Sequence, residues 1–581
     1  MRPMDPTLDS ASRPTGSAAR ERAATARHLL VDAVVLGGLA DAFLRGGFGI
    51  GLLAWMVVFT ATFAYVKRRR GGINREQLGW LLTALFFAAT FAWRDSGGLG
   101  FFDFVAMLTA LALLGATSSA VSPMRSVLGQ RIRDLAQALA RSAALVAAGV
   151  FGLVLACGLG DGVQRLRLGR TRALVRASLI AIPLVLVFGV LLGSADPVFG
   201  SLFRLPDIDF GTVVSHLVVA GFFTWVVGGW MYGALLNERP VPRIREGLPI
   251  TLGSLDVTIV LGALVALFAV FVGVQIGWLF GGERLVRATT GLGYAQYARH
   301  GFFELVWVSL LVLPVLLGSR SALDDDAVAI RRHRFLSIPL LALLGGIMAS
   351  ALGRMGLYVH YYGLSTDRVF ATVFMLWLVI VFAWYGFTVL RGRLRDFAAG
   401  MTITGFATLA ALGLANPDAL VARVNISRAQ VALTVEDSVT TPAARKTSLS
   451  ANTASPIDYG YLTWRLSGDA VGHVVDALVA NTVSPVGSAA RLAEVRARCD
   501  AVKTLFRRWG SGPVDWNLRA FGGDWRRWNV GAWDASRVMS SHEAALRNVT
   551  CLDASGETPF GDRDRRSLRP GEQGYVAPGT H

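Results

Sequence analysis

The chain has 581 residues, 53% of them hydrophobic and only 17% charged, with a mean hydropathy of +0.48. That balance excludes a soluble globular protein of this length. The formal charge of +17 is carried almost wholly by arginine, the lysines being Lys67, Lys446 and Lys503. Because the arginines gather at the ends of apolar runs, they point to membrane orientation and away from nucleic acid.

Residues 1–27, with Pro3, Pro6, Gly16, Ser17, Arg20, Arg22 and Arg27, read as a disordered basic arm. No small-residue cleavage site follows the first apolar run, so that run is expected to be a retained anchor. Residues 28–415 hold eleven or twelve apolar runs, several approaching or exceeding the roughly 20 residues that cross about 30 Å of hydrocarbon. Spans are predicted at approximately 29–44, 49–66, 78–93, 101–119, 172–193, 212–236, 256–280, 301–318, 335–353, 369–390 and 397–414. The expected fold is all-α: a polytopic transmembrane helical bundle of about 11–12 spans followed by a small helical extracytoplasmic C-terminal domain.

Arginine sets the sides of the early loops. Arg20, Arg22 and Arg27 put the N-terminus in the cytoplasm; the next loops carry Arg45 alone, then Lys67 to Arg70 with Arg75, then Arg94 alone, then Arg125, Arg131, Arg133 and Arg141. Poor loops alternate with rich ones, as the positive-inside rule requires. The run Ala143–Gly160 breaks the pattern, since Arg165, Arg167, Arg170, Arg172 and Arg176 follow it. A short re-entrant or in-plane helix interrupted by glycine resolves the conflict; an ordinary span with a rule-breaking loop is the alternative. With the re-entrant reading there are eleven crossings, and the tail from Asn416 is expected outside, on the extracytoplasmic face.

Asn416-Pro417 reads as a stop after the last span, 416–457 as a linker rich in Ser, Thr and Ala near its end, 458–552 as the small helical domain, and 553–581 as a disordered tail. Within the domain, Leu492, Val495, Cys499, Val502, Leu505 and Phe506 form a helical stripe. Trp516, Trp525, Trp528 and Trp533 follow; they read as packing against the outer membrane face, with a Trp-rich ligand surface as the alternative. Cys499 and Cys551 are two cysteines in a region expected to be exported, and are the candidate disulfide; Cys157 lies in the doubtful run.

Several phrases resemble a bacterial multi-pass membrane family catalogued as a domain of unknown function (number 4173, close to 4153). They are Ser194-Ala195-Asp196-Pro197-Val198-Phe199, the run from Tyr294 through Tyr297 and His300 to Leu305, Phe374-Met375-Leu376-Trp377, the run from Asn416 to Asn425, and Asp524-Trp525-Arg526-Arg527-Trp528-Asn529. The family pattern favours an acid at Gln296 and an arginine at His300, which leaves a site relying on an acid at 296 in doubt. The resemblance implies a polytopic inner-membrane protein and carries no catalytic residue with it.

The charge-derived orientation gathers polar and aromatic side chains at the outer face. Asp196 ends a span there and His216 opens the next. Tyr297, His300 and Glu304 share one helical face, and Asp367 enters a later span. These six are the candidate ligand-binding residues, with Glu304, His300 and Asp196 expected in one pocket, because a carboxylate at a membrane helix needs protein or water around it. Each also has a structural reading: a turn or helix cap for Asp196 and pairing with Arg299 or His300 for Glu304. Tyr358, Tyr361 and Tyr362 fit the aromatic belt, and Asp256 fits a structural role. Phosphate-loop, His-Glu-x-x-His and Cys-x-x-Cys patterns are missing, so no metal or cofactor is expected. Expected partners are the lipid bilayer and either a small ligand or a cell-envelope protein. Three readings stay open: ligand binding or transport through the bundle, a non-catalytic scaffold or envelope sensor acting through the tail, and a glycosyltransferase using a lipid-linked donor with Asp196 as its base.

Overall fold

The computed structural model describes residues 16–119, 126, 132–157, 210–237, 253–290, 302–323, 327–438, 457–480, 489–510 and 524–549. Among these the fold is all-α, with no strand. Among the described residues nine helices are long and apolar enough to cross a membrane, which makes the chain a multi-pass membrane protein. Two compact units divide it: Met1–Ala88 with Met107–Val127 and Arg133–Val241, and Ala89–Ala106 with Leu128–Ile132 and Pro242–His581.

The first unit holds α1 (Gly16–Leu44), α2 (Ile50–Arg69), most of α3 (Arg75–Trp93), the second half of α4 (Gly97–Ser118), α5 (Ile132–Ala156) and α6 (Phe210–Met231) with its terminal π-helical turn Tyr232–Leu236. α1 and α6 run antiparallel: Arg22 donates to the Leu236 carbonyl at 3.3 Å at one end, and Asp41 meets His216 at the other. The last carbonyls of a helix have no partner within it and sit at the negative end of its dipole. Here cations fill that need. Lys67 donates to Ser118 O at 3.0 Å and Arg70 to Leu235 O at 2.7 Å, so part of the basic cluster read as an orientation signal also caps helix ends.

One expectation is corrected in this unit. α1 begins at Gly16, so residues 16–27 are helical and not a disordered arm; Ala18, Ala19, Ala23 and Ala24 are strong helix formers, and Ala26 is fully buried. Most of the run Ala143–Gly160 lies in the uninterrupted 25-residue helix Ile132–Ala156, which Gly149 and Gly152 do not break. Its glycines serve contact: a Cβ at Gly149 would stand 2.6 Å from Gly229 O, and one at Gly152 would stand 2.5 Å from the Tyr232 ring. Small residues let helix backbones approach in lipid. The predicted span 172–193 lies outside the described residues.

In the second unit, α7 (Ser254–Thr290), α8 (Phe302–Ala322), α9 (Ala327–Tyr362), α10 (Thr366–Thr388) and α11 (Leu394–Ala415) follow in order. Leu261, Leu316, Leu340, Leu344, Met375 and Leu378 are at the centre of their apolar core. At Asn416 the backbone turns into the left-handed region (φ 53°), which asparagine tolerates. Pro417 then opens α12 (Pro417–Ser438) at the position where its missing N–H costs nothing, and the Asn416 side chain accepts the Ala419 N–H at 3.3 Å. The linker expected over 416–457 is therefore helical to Ser438, since Val421, Ala422, Ile426 and Ala429 recur at helical spacing and are buried.

The tail comprises α13 (Tyr459–Trp464), a 3₁₀ turn at Gly468–Ala470, α14 (Val471–Val479), α15 (Ala489–Trp509), a 3₁₀ turn at Trp525–Arg527, α16 (Val530–Ser541) and α17 (Glu543–Arg547). Its core includes Val474, Val475, Leu478, Val502 and Leu505 together with Leu99 of α4, Val369 of α10 and Leu412 of α11. One core thus joins the tail to the ends of membrane helices.

Candidate functional site

The turn after α3 is the centre of this junction. Arg94 donates through Nε to Gly413 O at 3.0 Å and through a terminal nitrogen to Leu414 O at 3.3 Å, meeting the free carbonyls at the end of α11. Its other terminal nitrogen lies 3.5 Å from the Asp469 carboxylate, and the guanidinium covers the Trp93 ring at 4.2 Å. Next in sequence, Asp95 gives its backbone N–H to Asp469 Oδ2 at 2.9 Å. Its own carboxylate accepts the Gly468 N–H at 2.8 Å and the Asn529 side-chain amide at 3.2 Å. The exchange is reciprocal: each aspartate binds a backbone N–H of the other's turn.

Neighbouring groups complete the arrangement. The Ser467 hydroxyl donates to Asp418 Oδ2 at 2.5 Å, with Asp418 in the first turn of α12, where a negative charge suits the helix dipole. The Asn529 carbonyl caps α16 by accepting the Ala532 N–H at 2.7 Å. Gly468 admits no side chain, because a Cβ there would lie 2.9 Å from both Gly531 O and the Trp509 ring. Asp418, Ser467 and Asn529 are all buried.

Burial dominates the electrostatics. It pushes the Asp95 carboxyl above the usual carboxylate value, against the pull of the Gly468 and Asn529 hydrogen bonds and the Arg508 charge. The Asp469 carboxyl is raised for the same reason, against its hydrogen bond from the Asp95 N–H and the Arg94 charge. Burial lowers the Arg508 guanidinium, opposed by Asp95 and Asp418; Arg508 also donates to Thr463 O and, at 2.9 Å, to Leu466 O.

A cavity of about 200 Å³ opens beside this network. Its polar lining comes from Asp95, from helix starts (Ser96, Thr366, Asp367, Asp418) and from the tail (Arg465, Ser467, Arg508). Asp367 and Arg465 are exposed. The Tyr461 hydroxyl holds one edge by accepting the Thr366 N–H at 3.0 Å. Carboxylates and guanidinium groups therefore face one small space, an arrangement suited to a solute carrying both signs of charge.

Of the six residues singled out from sequence, Asp367 lines this cavity. Asp196, Tyr297 and His300 lie outside the described residues, and so does the expected pocket with Glu304. Glu304 is exposed in the first turn of α8, a favourable place for an acid. His216 belongs to the first unit, where its Nδ1 meets Asp41. Arg45 lies 3.5 Å from Asp41 and donates to Ser215. Ser215 thus receives a guanidinium hydrogen bond. Asp256 accepts the Gly253 N–H at 2.9 Å, a cap.

Sequence reasoning missed Asp95, Asp469, Arg508 and the roles of Asp418 and Asn529, although the last two stand inside phrases already noted for their resemblance. It also missed His333, 2% exposed among α8, α9 and α10. The Ser319 and Ser337 hydroxyls lie 3.1 and 3.4 Å from its two ring nitrogens, so its polar atoms are satisfied internally. Cys499 is disulfide-bonded, Cys551 lies outside the described residues, and Cys157 is free and buried. Among the described residues no group of three or more His, Cys, Asp or Glu is placed to hold a metal ion.

The profile of a family described as "Domain of unknown function (DUF4153)" matches residues 81–477, more than half of the chain. No curated protein matches, and no solved structure matches. The matched region includes Asp95, Asp367, Asp418 and Asp469, and stops short of Arg508 and Asn529.

Proposed function

We propose, from the premise that this chain belongs to the DUF4153 family, that it is a membrane-embedded binding protein whose polar cleft takes a small zwitterionic solute. The observation that carries this reading is the mixed lining of the cavity: Asp367 and Asp418 on helix starts facing Arg465 and Arg508 on the tail. An ammonium group suits the carboxylates and a carboxylate suits the guanidinium groups, whose planar donors fit two oxygens at once. The charge pattern supports placing the cleft on the outer side of a bacterial cytoplasmic membrane, with the N-terminus inside.

Detergent-purified full-length protein, melted with and without a panel of free amino acids, tests the idea. A ligand present at about 100 times its Kd adds about 2.7 kcal/mol to stability. Zwitterions should raise Tm, while methyl esters and N-acetyl forms should raise it less, and Asp367→Asn or Arg465→Gln should remove the gain. A flat response to every zwitterion at millimolar concentration defeats the reading. The scaffold or sensor alternative is favoured by the single core shared by tail and helix ends.

A further inference from the structure

We propose that the tail segment from Asp524 to Arg537 lies in the phospholipid headgroup layer of the membrane the helices cross, with Trp525 and Trp533 as its anchors. Asn529, in the middle of the segment, is hydrogen-bonded to Asp95 at 3.2 Å. Asp95 in turn lies two residues before Gly97, the first residue of α4, a helix long and apolar enough to span. The segment is therefore held at the level where the hydrocarbon ends. Trp525 is four residues from that contact, and most of the interval is a tight 3₁₀ turn rising about 2 Å per residue. The headgroup layer is about 5–7 Å deep on each side, and an indole spans a comparable distance.

Exposure separates the tryptophans of the tail by role. Trp509 is buried and Trp528 packs on the core; Trp464, outside the segment, is 60% exposed, and within the segment Trp525 and Trp533 are 45% and 41% exposed. On the membrane side of the same contact Trp93 is 38% exposed at the end of α3, under the Arg94 guanidinium. Trp533 repeats that pairing, with Arg537 5.2 Å from its ring centroid. Indoles concentrate at membrane interfaces because the ring prefers the apolar side and its N–H prefers the wet side. Charge fits as well. Arg526 and Arg537 are paired with Asp524 and Asp534 at 3.6 and 2.7 Å, but such partly exposed pairs bind weakly and yield to a phosphate oxygen.

Full-length protein in nanodiscs of phosphatidylcholine brominated either near the headgroup end or near the terminus of its acyl chains reads this depth. The emission lost on Trp525→Phe isolates that one indole from the others. Shallow bromines should quench it at least twofold more than deep ones, and aqueous iodide should quench it little. If Trp525→Phe does not insert, Trp533→Phe gives the same reading. An emission untouched by bromine and fully open to iodide overturns the proposal and makes the face a docking surface for a soluble partner.

Discussion

Asn529 reaches the Asp95 carboxylate with its side-chain amide at 3.2 Å while its carbonyl caps α16 at 2.7 Å, so one residue both starts a tail helix and ties it to a membrane-helix turn. Replacing it with alanine removes both bonds. The expected loss is about 1–3 kcal/mol, read as a lower Tm and faster protease cleavage of the tail. Asn529→Ser keeps a capping oxygen and should recover only part. Full recovery with serine would mean that the amide to Asp95 contributes nothing.

Acidity should tighten this junction. The Asp95 and Asp469 carboxyls lie above the ordinary 3.8 in the folded protein. The folded state therefore holds more protons than the unfolded chain in a window opening near that value and extending upward. Stability from these two groups is complete below the window and is lost as pH rises through the folded values. Tail cleavage should slow as pH falls from neutral toward the ordinary carboxylate range, and Asp95→Asn should flatten the dependence. Cleavage that speeds up on acidification would contradict the assignment.

Gly149 and Gly229 set the approach of α5 and α6. A Cβ on Gly229 would lie 2.2 Å from Val146 O, so Gly229→Ala forces the backbones apart at an expected cost of about 1–3 kcal/mol. Gly221, on the same helix, has open space around it; Gly221→Ala should be neutral or stabilising by up to about 1 kcal/mol. Equal Tm shifts for the two variants would refute the close crossing.

For the tail, the expected side is extracytoplasmic. Reporter fusions after Arg395 and at Tyr459 should give opposite signals. Cys499, which is disulfide-bonded, is expected to pair with Cys551. Alkylation before reduction should then label neither, and alkylation after reduction should label both. A cytoplasmic reporter at Tyr459, or free thiols at both positions in envelope-purified protein, would remove the exported placement.

The membrane class and most helices were legible in the sequence because each is a local property. Crossing a bilayer requires a run of fixed length with few charges, and a run such as 369–390 declares itself without knowledge of any other part of the chain; the helix found there is Thr366–Thr388. Asn416-Pro417 likewise announced a break, since its turn depends only on those two residues and their backbone angles. What α12 does beyond that break was decided by tertiary structure: Val421 and Ala422 are buried against the tail and helix ends, and that burial supports a helix where polar composition suggested a linker. The glycines of Ala143–Gly160 suggested an interruption for a related reason: glycine in sequence signals a break unless a second helix stands close enough to need it. Only the folded chain brings Asp95, Asp418, Asp469 and Asn529 together. Asp95 and Asn529 are 434 residues apart, and their partners include backbone N–H groups that every residue but proline carries, so no local pattern marks the contact. Burial then shifts the Asp95 and Asp469 carboxyls, a property of the surrounding protein that belongs to neither residue alone.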